Sequence, residues 1–346
     1  MHALADLKLP KSQVKLQREV LDQVCERTLE TCQRLGVIRE DRMTEAKYRA
    51  GRFELLAALA YPDADVEGLT LCNDFNVCLF YIDDQADEDE RYGKRPTSLA
   101  EYFDKHVQAL RGERIADDDC PAAGLLNDIR LRLASSMSEQ WLARFAADFS
   151  EYLHRGALTA ACHWAASTIP TVKGYTEHRA SDSAVVCIQN LIERVGSGEL
   201  HGQVVRLASL QRLRRICAEV VAYTNDLVSY AKELRHNASP NNLVHIFSTH
   251  ERLSLDDASE HVIDLVNEKV ASFDEIVGGL PDLGAFHNAQ IERYVRGQRA
   301  WMSGNLLWSL ASGRYADAAA PFAELRDPVH PTRASELPLL DAAVNA

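Results

Sequence analysis

The sequence lacks the features that mark several large classes of proteins. Its 346 residues contain no Lys/Arg cluster and carry a formal net charge of -13, so nucleic acid is not an expected partner. It has no run of about 18 apolar residues, and its N-terminal stretch lacks the apolar segment of a signal peptide. We therefore expect a soluble, cytoplasmic protein that spans no membrane.

Cysteine and proline do not occur in the patterns that would restrain a chain. The eight cysteines form no CxxC pair and most lie in helix-like stretches, so we expect buried, reduced thiols instead of disulfides or a zinc site. Only six prolines lie between Pro10 and Pro321, mostly in turn-like surroundings that separate long segments. Long segments without proline favour helices.

Apolar residues recur at intervals of three and four, as at Trp141, Phe145 and Phe149, whereas alternation at period two is scarce. The pattern predicts an all-α chain of about ten helices. No linker divides it, so we expect one domain over residues 1–320. Residues 321–346 lose the helical periodicity and contain several prolines, which predicts a loose tail.

The stretch "LFYIDDQADEDER", residues 79–91, joins an apolar run directly to six acids. Asp83 and Asp87 are four residues apart and would share one face of a helix. A solvated helix end is typical of acidic runs, but here the acids border an apolar segment and no Lys or Arg follows until Arg91. Mg²⁺ commonly binds one or two carboxylates together with substrate phosphates, so this stretch predicts a magnesium site. Whether Asp84 or Asp87 is the second ligand stays open.

A second polar stretch is "VVAYTNDLVSYAKELRHN". Asn225, Ser229 and Glu233 follow at intervals of four, so an amide, a hydroxyl and a carboxylate would lie on one helix face. Oxygen ligands of this kind suit Mg²⁺, and Lys232 beside them could hold a phosphate. Taken alone, the spacing fits a solvated helix face equally well.

Together the two stretches resemble the metal-binding motifs of bacterial-type class I terpene synthases. The aspartate-rich motif of that family is similar to "DDQAD" at 83–87, and its Asn-Asp-x-x-Ser-x-x-x-Glu motif is similar to "NDLVSYAKE" at 225–233. The family's Arg-Tyr pair near the C-terminus resembles Arg314 and Tyr315.

The family also has a diphosphate-sensing Arg followed by a linking Asp. Arg179 and Asp182 resemble this pair, in the order expected between the two metal motifs. The next residue, often Gly in the family, is Ser183 here. The resemblance implies that a backbone carbonyl at this position helps to trigger ionisation, and Ser would make that segment stiffer than Gly would.

The resemblance implies a single-domain helical bundle around a central apolar cavity. It further implies three Mg²⁺ ions bound with diphosphate, and a lyase that ionises and cyclises a linear isoprenyl diphosphate, with farnesyl diphosphate preferred and geranylgeranyl diphosphate as the alternative. The implied diphosphate ligands and trigger residues are Arg179, Asp182, Ser183, Lys232, Arg314 and Tyr315. The implied metal ligands are Asp83, Asp87, Asn225, Ser229 and Glu233. The aromatic candidates for the pocket wall are Phe80 and Trp308, with Phe53, Phe75, Trp164 and Trp301 as further candidates.

Two alternatives remain at this level. A prenyl chain-elongating transferase would carry aspartate-rich motifs at both metal sites, and the Asn/Ser/Glu form disfavours it. A non-catalytic helical scaffold could present acidic patches to partners, and a homodimer also stays open. A further acidic pair, Asp256 and Asp257, follows Ser254 in a pattern that predicts an ordinary helix start.

Overall fold

The computed structural model describes residues 4–12, 14–87, 89–115, 120–236, 241–317 and 320–326, without the side chains of 87, 90, 91, 235 and 236. Within these ranges the chain is helical and contains no strand, which confirms the predicted all-α class. The α-helices are α1 Arg18–Arg34, α2 Glu45–Gly51, α3 Phe53–Ala60, α4 Val66–Asp87, α5 Glu90–Gly93, α6 Pro96–Arg111, α7 Pro121–Ala134, α8 Glu139–Glu151, α9 Leu158–Ala165, α10 Val172–His178, α11 Val185–Ile188, α12 Asn190–Ile192, α13 Gly202–Val205, α14 Ala208–His236, α15 Leu243–His250, α16 Leu255–Gly278 and α17 Ala285–Ala311.

Local signals in the sequence account for where several helices begin. Pro96 and Pro121 occupy first turns, where a missing N–H costs nothing. Ser254 caps α16, because its hydroxyl accepts a hydrogen bond of 3.2 Å from the backbone N–H of Asp257. Asp256 and Asp257 therefore lie in an exposed first turn of α16, as the sequence predicted.

The helices that concern the cavity pack in succession around it. Helix α14 packs against α16 and α17, α17 packs against α3, and α3 packs against α4. Gly304 allows α17 to approach α3 closely, since a Cβ at that position would come within 3.1 Å of the Leu59 carbonyl oxygen on α3. The long helices α4 and α14 are thereby held on different sides of one cavity.

Two expectations are modified by the structure. The tail was expected to begin at residue 321, but Phe322 and Leu325 are buried in the core, and the backbone N–H of Asp317 donates to the Leu325 carbonyl oxygen at 3.0 Å. Packing thus extends through residue 326, because these apolar side chains find partners; residues 327–346 lie outside the described residues. All eight cysteines are unbridged thiols, and six are buried, but Cys25 is half-buried and Cys162 is exposed.

None of the helices in the described ranges combines the length and the apolar character that a bilayer crossing requires.

Candidate active site

A cavity lies between α3, α4, α14 and α17, and is closed on the remaining side by the segments 152–160 and 179–188. Its deeper wall is largely apolar. Its mouth is polar, because the charged ends of α4 and α14 reach it together with Arg179 and Arg314. The apolar members of the wall include Leu56, Leu79, Ile188, Val221, Ala222 and Trp301.

The two adjacent aspartates on α4 have different surroundings. Asp83 lines the cavity, and its side chain is 39% exposed, whereas that of Asp84 is 8% exposed. Asp84 receives two hydrogen bonds from Arg314, at 2.7 and 3.3 Å, and an ion pair from Lys47 at 2.9 Å. Lys232 lies 3.7 Å away. Asp83 is therefore the aspartate of this pair that faces the cavity.

The pKa values of Asp83 and Asp84 differ because the nearby cations act more strongly on Asp84. Burial raises the pKa of Asp83 above its ordinary value, although Arg314 acts against the shift. Burial has the same effect at Asp84, but there Arg314 and Lys232 outweigh it and hold the pKa well below its usual range. The third member of the motif, Asp87, ends α4, and its side chain lies outside the described part of the structure.

Asn225, Ser229 and Glu233 on α14 all line the cavity. The Asn225 amide nitrogen donates to the Tyr315 hydroxyl at 3.0 Å, and the Asn242 amide donates to Glu233 at 2.9 Å. Burial, and then the nearby Asp226, raise the pKa of the Glu233 carboxyl above its ordinary value. Burial disfavours the ionised Glu233 carboxylate, so a bound cation would stabilise it.

These residues match the donor chemistry of a magnesium site. The Ser229 hydroxyl is buried and makes no hydrogen bond of acceptable geometry, although it lies beside Glu233. Across the described residues, no three His, Cys, Asp or Glu side chains group closely enough to hold an ion by themselves. The second motif instead offers three different oxygen donors, which Mg²⁺ accepts. The unpaired hydroxyl is what a ligand position would present before an ion binds.

Arg179 is partly buried at the mouth and is held by Asp226 of α14. Its Nε and Nη2 atoms donate to one Asp226 oxygen at 3.1 and 2.8 Å. The same guanidinium lies 3.5 Å from the Asp182 carboxylate and donates to the Asp182 carbonyl oxygen at 3.4 Å. Burial raises the pKa of Asp182 to about 7, although Arg179 acts against the shift. The sensing and linking residues suggested by the sequence are thus in contact.

Ser183 follows this pair and also lines the cavity. Its hydroxyl donates to the Ala180 carbonyl oxygen at 2.9 Å, so the hydroxyl is engaged within its own turn. The left-handed backbone in this segment belongs to Ala184, with a φ of 57°, and not to Ser183. Gly is therefore not required at position 183 by the backbone conformation.

Arg314 and Tyr315 extend from the end of α17 over the mouth. The Arg314 guanidinium lies 4.7 Å from the centre of the Phe80 ring, and Phe80 lines the cavity. The preceding turn is fixed by Ser312, whose hydroxyl donates to the Gly51 carbonyl oxygen at 3.0 Å. This anchoring positions the Arg-Tyr pair against α4 and α14.

The structure does not place Trp308 on the cavity wall. Trp308 is completely buried behind Phe80, with ring centres 5.2 Å apart, and its indole N–H donates to the Gly51 carbonyl oxygen at 2.8 Å. It supports Phe80 and Tyr315 from behind, because its polar atom finds a partner on the α2–α3 junction instead of at the cavity. Among the further aromatic candidates, Trp301 lines the cavity, while Phe53, Phe75 and Trp164 do not.

Several residues of the site were not predicted from the sequence. Asp226 lies inside the second motif beside Asn225, but the motif gave no indication that Asp226 pairs with Arg179. Tyr175 donates to Asp226 at 2.9 Å, and Asn242 donates to Glu233, yet neither follows a recognisable spacing. A tight contact at Gly156 was also missed: a Cβ there would lie 2.4 Å from the Ser181 carbonyl oxygen. Gly156 belongs to a π-helical turn, Tyr152–Ala157, between α8 and α9.

Comparisons with known proteins agree on one family. A protein-family model described as terpene synthase family 2, C-terminal metal binding, matches residues 74–272. Pristinol synthase of Streptomyces pristinaespiralis is 34% identical over 300 residues, covering 83% of this chain and 79% of that protein. A (+)-T-muurolol synthase of Roseiflexus castenholzii, named as cyclising (2E,6E)-farnesyl diphosphate, is 31% identical over 78% of this chain and 82% of its own. The crystal structure of germacradien-4-ol synthase from Streptomyces citricolor superposes with a TM-score of 0.73 at 25% identity, over 88% and 96% of the two chains.

The contact at Gly156 predicts a position-specific cost. Gly156→Ala should lower the free energy of unfolding by about 1–3 kcal/mol, because the new methyl group overlaps the backbone of the 181–182 turn. Gly124→Ala in α7 is the matched control, since its nearest neighbour would be a Leu35 methyl at 3.9 Å. That substitution should be neutral or stabilising by up to about 1 kcal/mol. Denaturant unfolding of both variants checks the difference, and equal stabilities would contradict the close approach.

Proposed function

The chain belongs to the bacterial-type class I terpene synthases, and on that premise we propose that it ionises and cyclises farnesyl diphosphate with the help of Mg²⁺. Enzymes of this family are lyases that act on diphosphate substrates. The preference for farnesyl diphosphate is supported by relatives such as the (+)-T-muurolol and 4-epi-cubebol synthases, whose names specify (2E,6E)-farnesyl diphosphate. Geranylgeranyl diphosphate is the alternative substrate.

The observation that carries the proposal is the division of one cavity into a charged mouth and an apolar interior. Asp83 on α4 and the Asn225, Ser229 and Glu233 set on α14 contribute oxygen atoms to that mouth. We assign these residues as the Mg²⁺ ligands, together with Asp87. Bound Mg²⁺ would neutralise the negative charge that develops on the departing diphosphate.

Cationic side chains supply the remaining diphosphate contacts. Arg179, Lys232 and Arg314 line the mouth, and the Tyr315 hydroxyl lies beside Asn225. Fixed donors that face developing charge in a water-poor site stabilise the transition state for bond cleavage. We propose that these four side chains orient the diphosphate so that its allylic carbon–oxygen bond points into the apolar interior.

The trigger proposed for ionisation runs from Arg179 to the cavity wall. Arg179 contacts both the carboxylate and the carbonyl oxygen of Asp182, and Ser183 follows directly. A diphosphate that draws Arg179 toward itself would therefore move this short segment. The Ser183 carbonyl group, and not its hydroxyl, is the part that we expect to act, because the hydroxyl already bonds within the turn.

The interior must then hold a carbocation without releasing it to solvent. Phe80 and Trp301 line the cavity, and an aromatic face stabilises a nearby cation by roughly 0.5–2 kcal/mol. Arg314 covers the outer side of Phe80, so that ring separates the charged mouth from the interior. Trp308 would act only indirectly, by fixing the position of Phe80.

Incubation with the ten-, fifteen- and twenty-carbon isoprenyl diphosphates tests the proposal directly. We expect diphosphate release and cyclic products by gas chromatography and mass spectrometry with the fifteen-carbon substrate and Mg²⁺, and neither after chelation by EDTA. Turnover of the twenty-carbon substrate alone would identify geranylgeranyl diphosphate, and not farnesyl diphosphate, as the substrate. Linear, longer products in the presence of isopentenyl diphosphate would instead support chain elongation.

The first motif gives a paired prediction. Asp83→Asn removes a ligand charge at the mouth and should lower turnover by about 100-fold or more. Asp256→Asn makes the same substitution in the exposed first turn of α16 and should leave turnover nearly unchanged. Steady-state diphosphate release from both variants provides the measurement, and equal losses would contradict the assignment of Asp83.

The second motif predicts a change in metal requirement. Ser229→Ala and Glu233→Gln should each raise the Mg²⁺ concentration for half-maximal activity by roughly tenfold, because each removes an oxygen ligand or its charge. Ser303→Ala is the control, since the Ser303 hydroxyl bonds the Arg299 carbonyl oxygen of its own helix at 3.2 Å, outside the cavity. A magnesium titration that is identical for all three variants would refute the second site.

A further inference from the structure

Asn76 is a polar residue in the apolar part of the cavity. It lies on α4, seven residues before Asp83, so it is on nearly the same helix face and about 10 Å deeper along the axis. It is 2% exposed, and its amide nitrogen is buried without a hydrogen-bond partner. Its neighbours on the wall include Leu79 and Phe80, which offer no acceptor.

Other amides around the cavity do have partners. The Asn225 amide donates to Tyr315 at 3.0 Å, and the Asn305 amide donates to the Val221 carbonyl oxygen at 3.5 Å, which ties α17 to α14. One turn before Asn76, the Asn73 amide faces away from the cavity and donates to Thr28 at 3.0 Å. Asn76 is therefore exceptional among these amides in having an unmet donor on the cavity wall.

A buried amide without a partner destabilises a fold, and such groups in native proteins usually bond to a buried water or to a ligand. Substrates of this family carry their polar group at the diphosphate end, which the mouth would hold. The hydrocarbon that enters the interior offers Asn76 no acceptor. A single water molecule is the small polar ligand that suits the site, because the amide presents a donor and, in either orientation, an acceptor.

We infer that Asn76 holds the water molecule that captures the final carbocation, so that the product of this enzyme is a terpene alcohol. The inference rests on the proposed cyclisation. The amide N–H donates to one lone pair of the water oxygen, and the second lone pair forms the new carbon–oxygen bond. The resulting oxonium loses one proton to the released diphosphate. The overall reaction thus consumes one water and releases one diphosphate for each alcohol formed.

The wild-type enzyme provides a test that needs no variant. Incubation with farnesyl diphosphate and Mg²⁺ in water enriched in oxygen-18 should give a main product that carries one labelled oxygen, detected by mass spectrometry. Unlabelled hydrocarbon as the main product, with diphosphate released, would overturn the inference and leave the proposed function intact. Failure to release diphosphate from any isoprenyl diphosphate would refute the proposed function instead.

Variants then identify the residue that holds the water. In Asn76→Leu the labelled alcohol should fall by about fivefold or more relative to hydrocarbon products, as expected for loss of one hydrogen bond, while diphosphate release changes little. Asn76→Ser keeps a hydroxyl donor and should retain more alcohol than the Leu variant. Asn73→Ser is the control, because Asn73 is a buried amide on the same helix that does not line the cavity and already donates to Thr28. An unchanged proportion of labelled alcohol in Asn76→Leu, or an equal loss in Asn73→Ser, would overturn the assignment.

Discussion

Two arginines lie at the mouth of the cavity with side chains only 11% (Arg179) and 6% (Arg314) exposed, and each is accompanied by a buried carboxylate. Arg179 is held by Asp226 on α14, and Arg314 is held by Asp84 on α4. Without Asp226, Arg179 would keep only its longer carboxylate contact, 3.5 Å to Asp182. Without Asp84, Arg314 would keep only its 3.5 Å contact to Asp83. Loss of either carboxylate should therefore destabilise the site. The two pairs therefore fix the segments that carry the arginines to the two helices that carry the metal motifs.

This pairing explains why both motifs begin with two adjacent polar residues. Neighbouring positions on a helix differ by about 100° around the axis, so they face different surroundings. In each motif one member of the doublet, Asp83 or Asn225, lines the cavity. The other member, Asp84 or Asp226, makes the shorter contacts to the arginine, since the cavity-lining member lies 3.5 Å (Asp83) or 3.3 Å (Asn225) from it. Each doublet thus combines a candidate metal ligand with an anchor for an arginine that we propose binds diphosphate.

The parts of the site that followed from sequence are those that depend on helix geometry alone. Asn225, Ser229 and Glu233 meet at the cavity because side chains four residues apart share a face. Partners supplied by distant segments, such as Tyr175 for Asp226, have no local pattern and were missed. Trp308 was expected on the wall because its position resembles a pocket site of the family, but such a resemblance does not reveal which layer a side chain occupies. That layer is decided by packing and by its hydrogen bond to the Gly51 carbonyl oxygen.

The departure from the family pattern at Ser183 has a physical explanation in the residue that follows. A left-handed conformation at Ala184 costs roughly 1–2 kcal/mol, and contacts in the surrounding turn must offset that cost. The Ala184 carbonyl oxygen accepts hydrogen bonds from the N–H groups of Cys187 and Ile188, both at 3.1 Å, and so fixes the start of α11. On the other side, Gly156 allows the 181–182 backbone to approach the π-helical turn. The segment is thus restrained at both ends, so a displacement of Arg179 would be taken up mainly by the peptide groups between Asp182 and Ala184, where Ser183 meets the cavity.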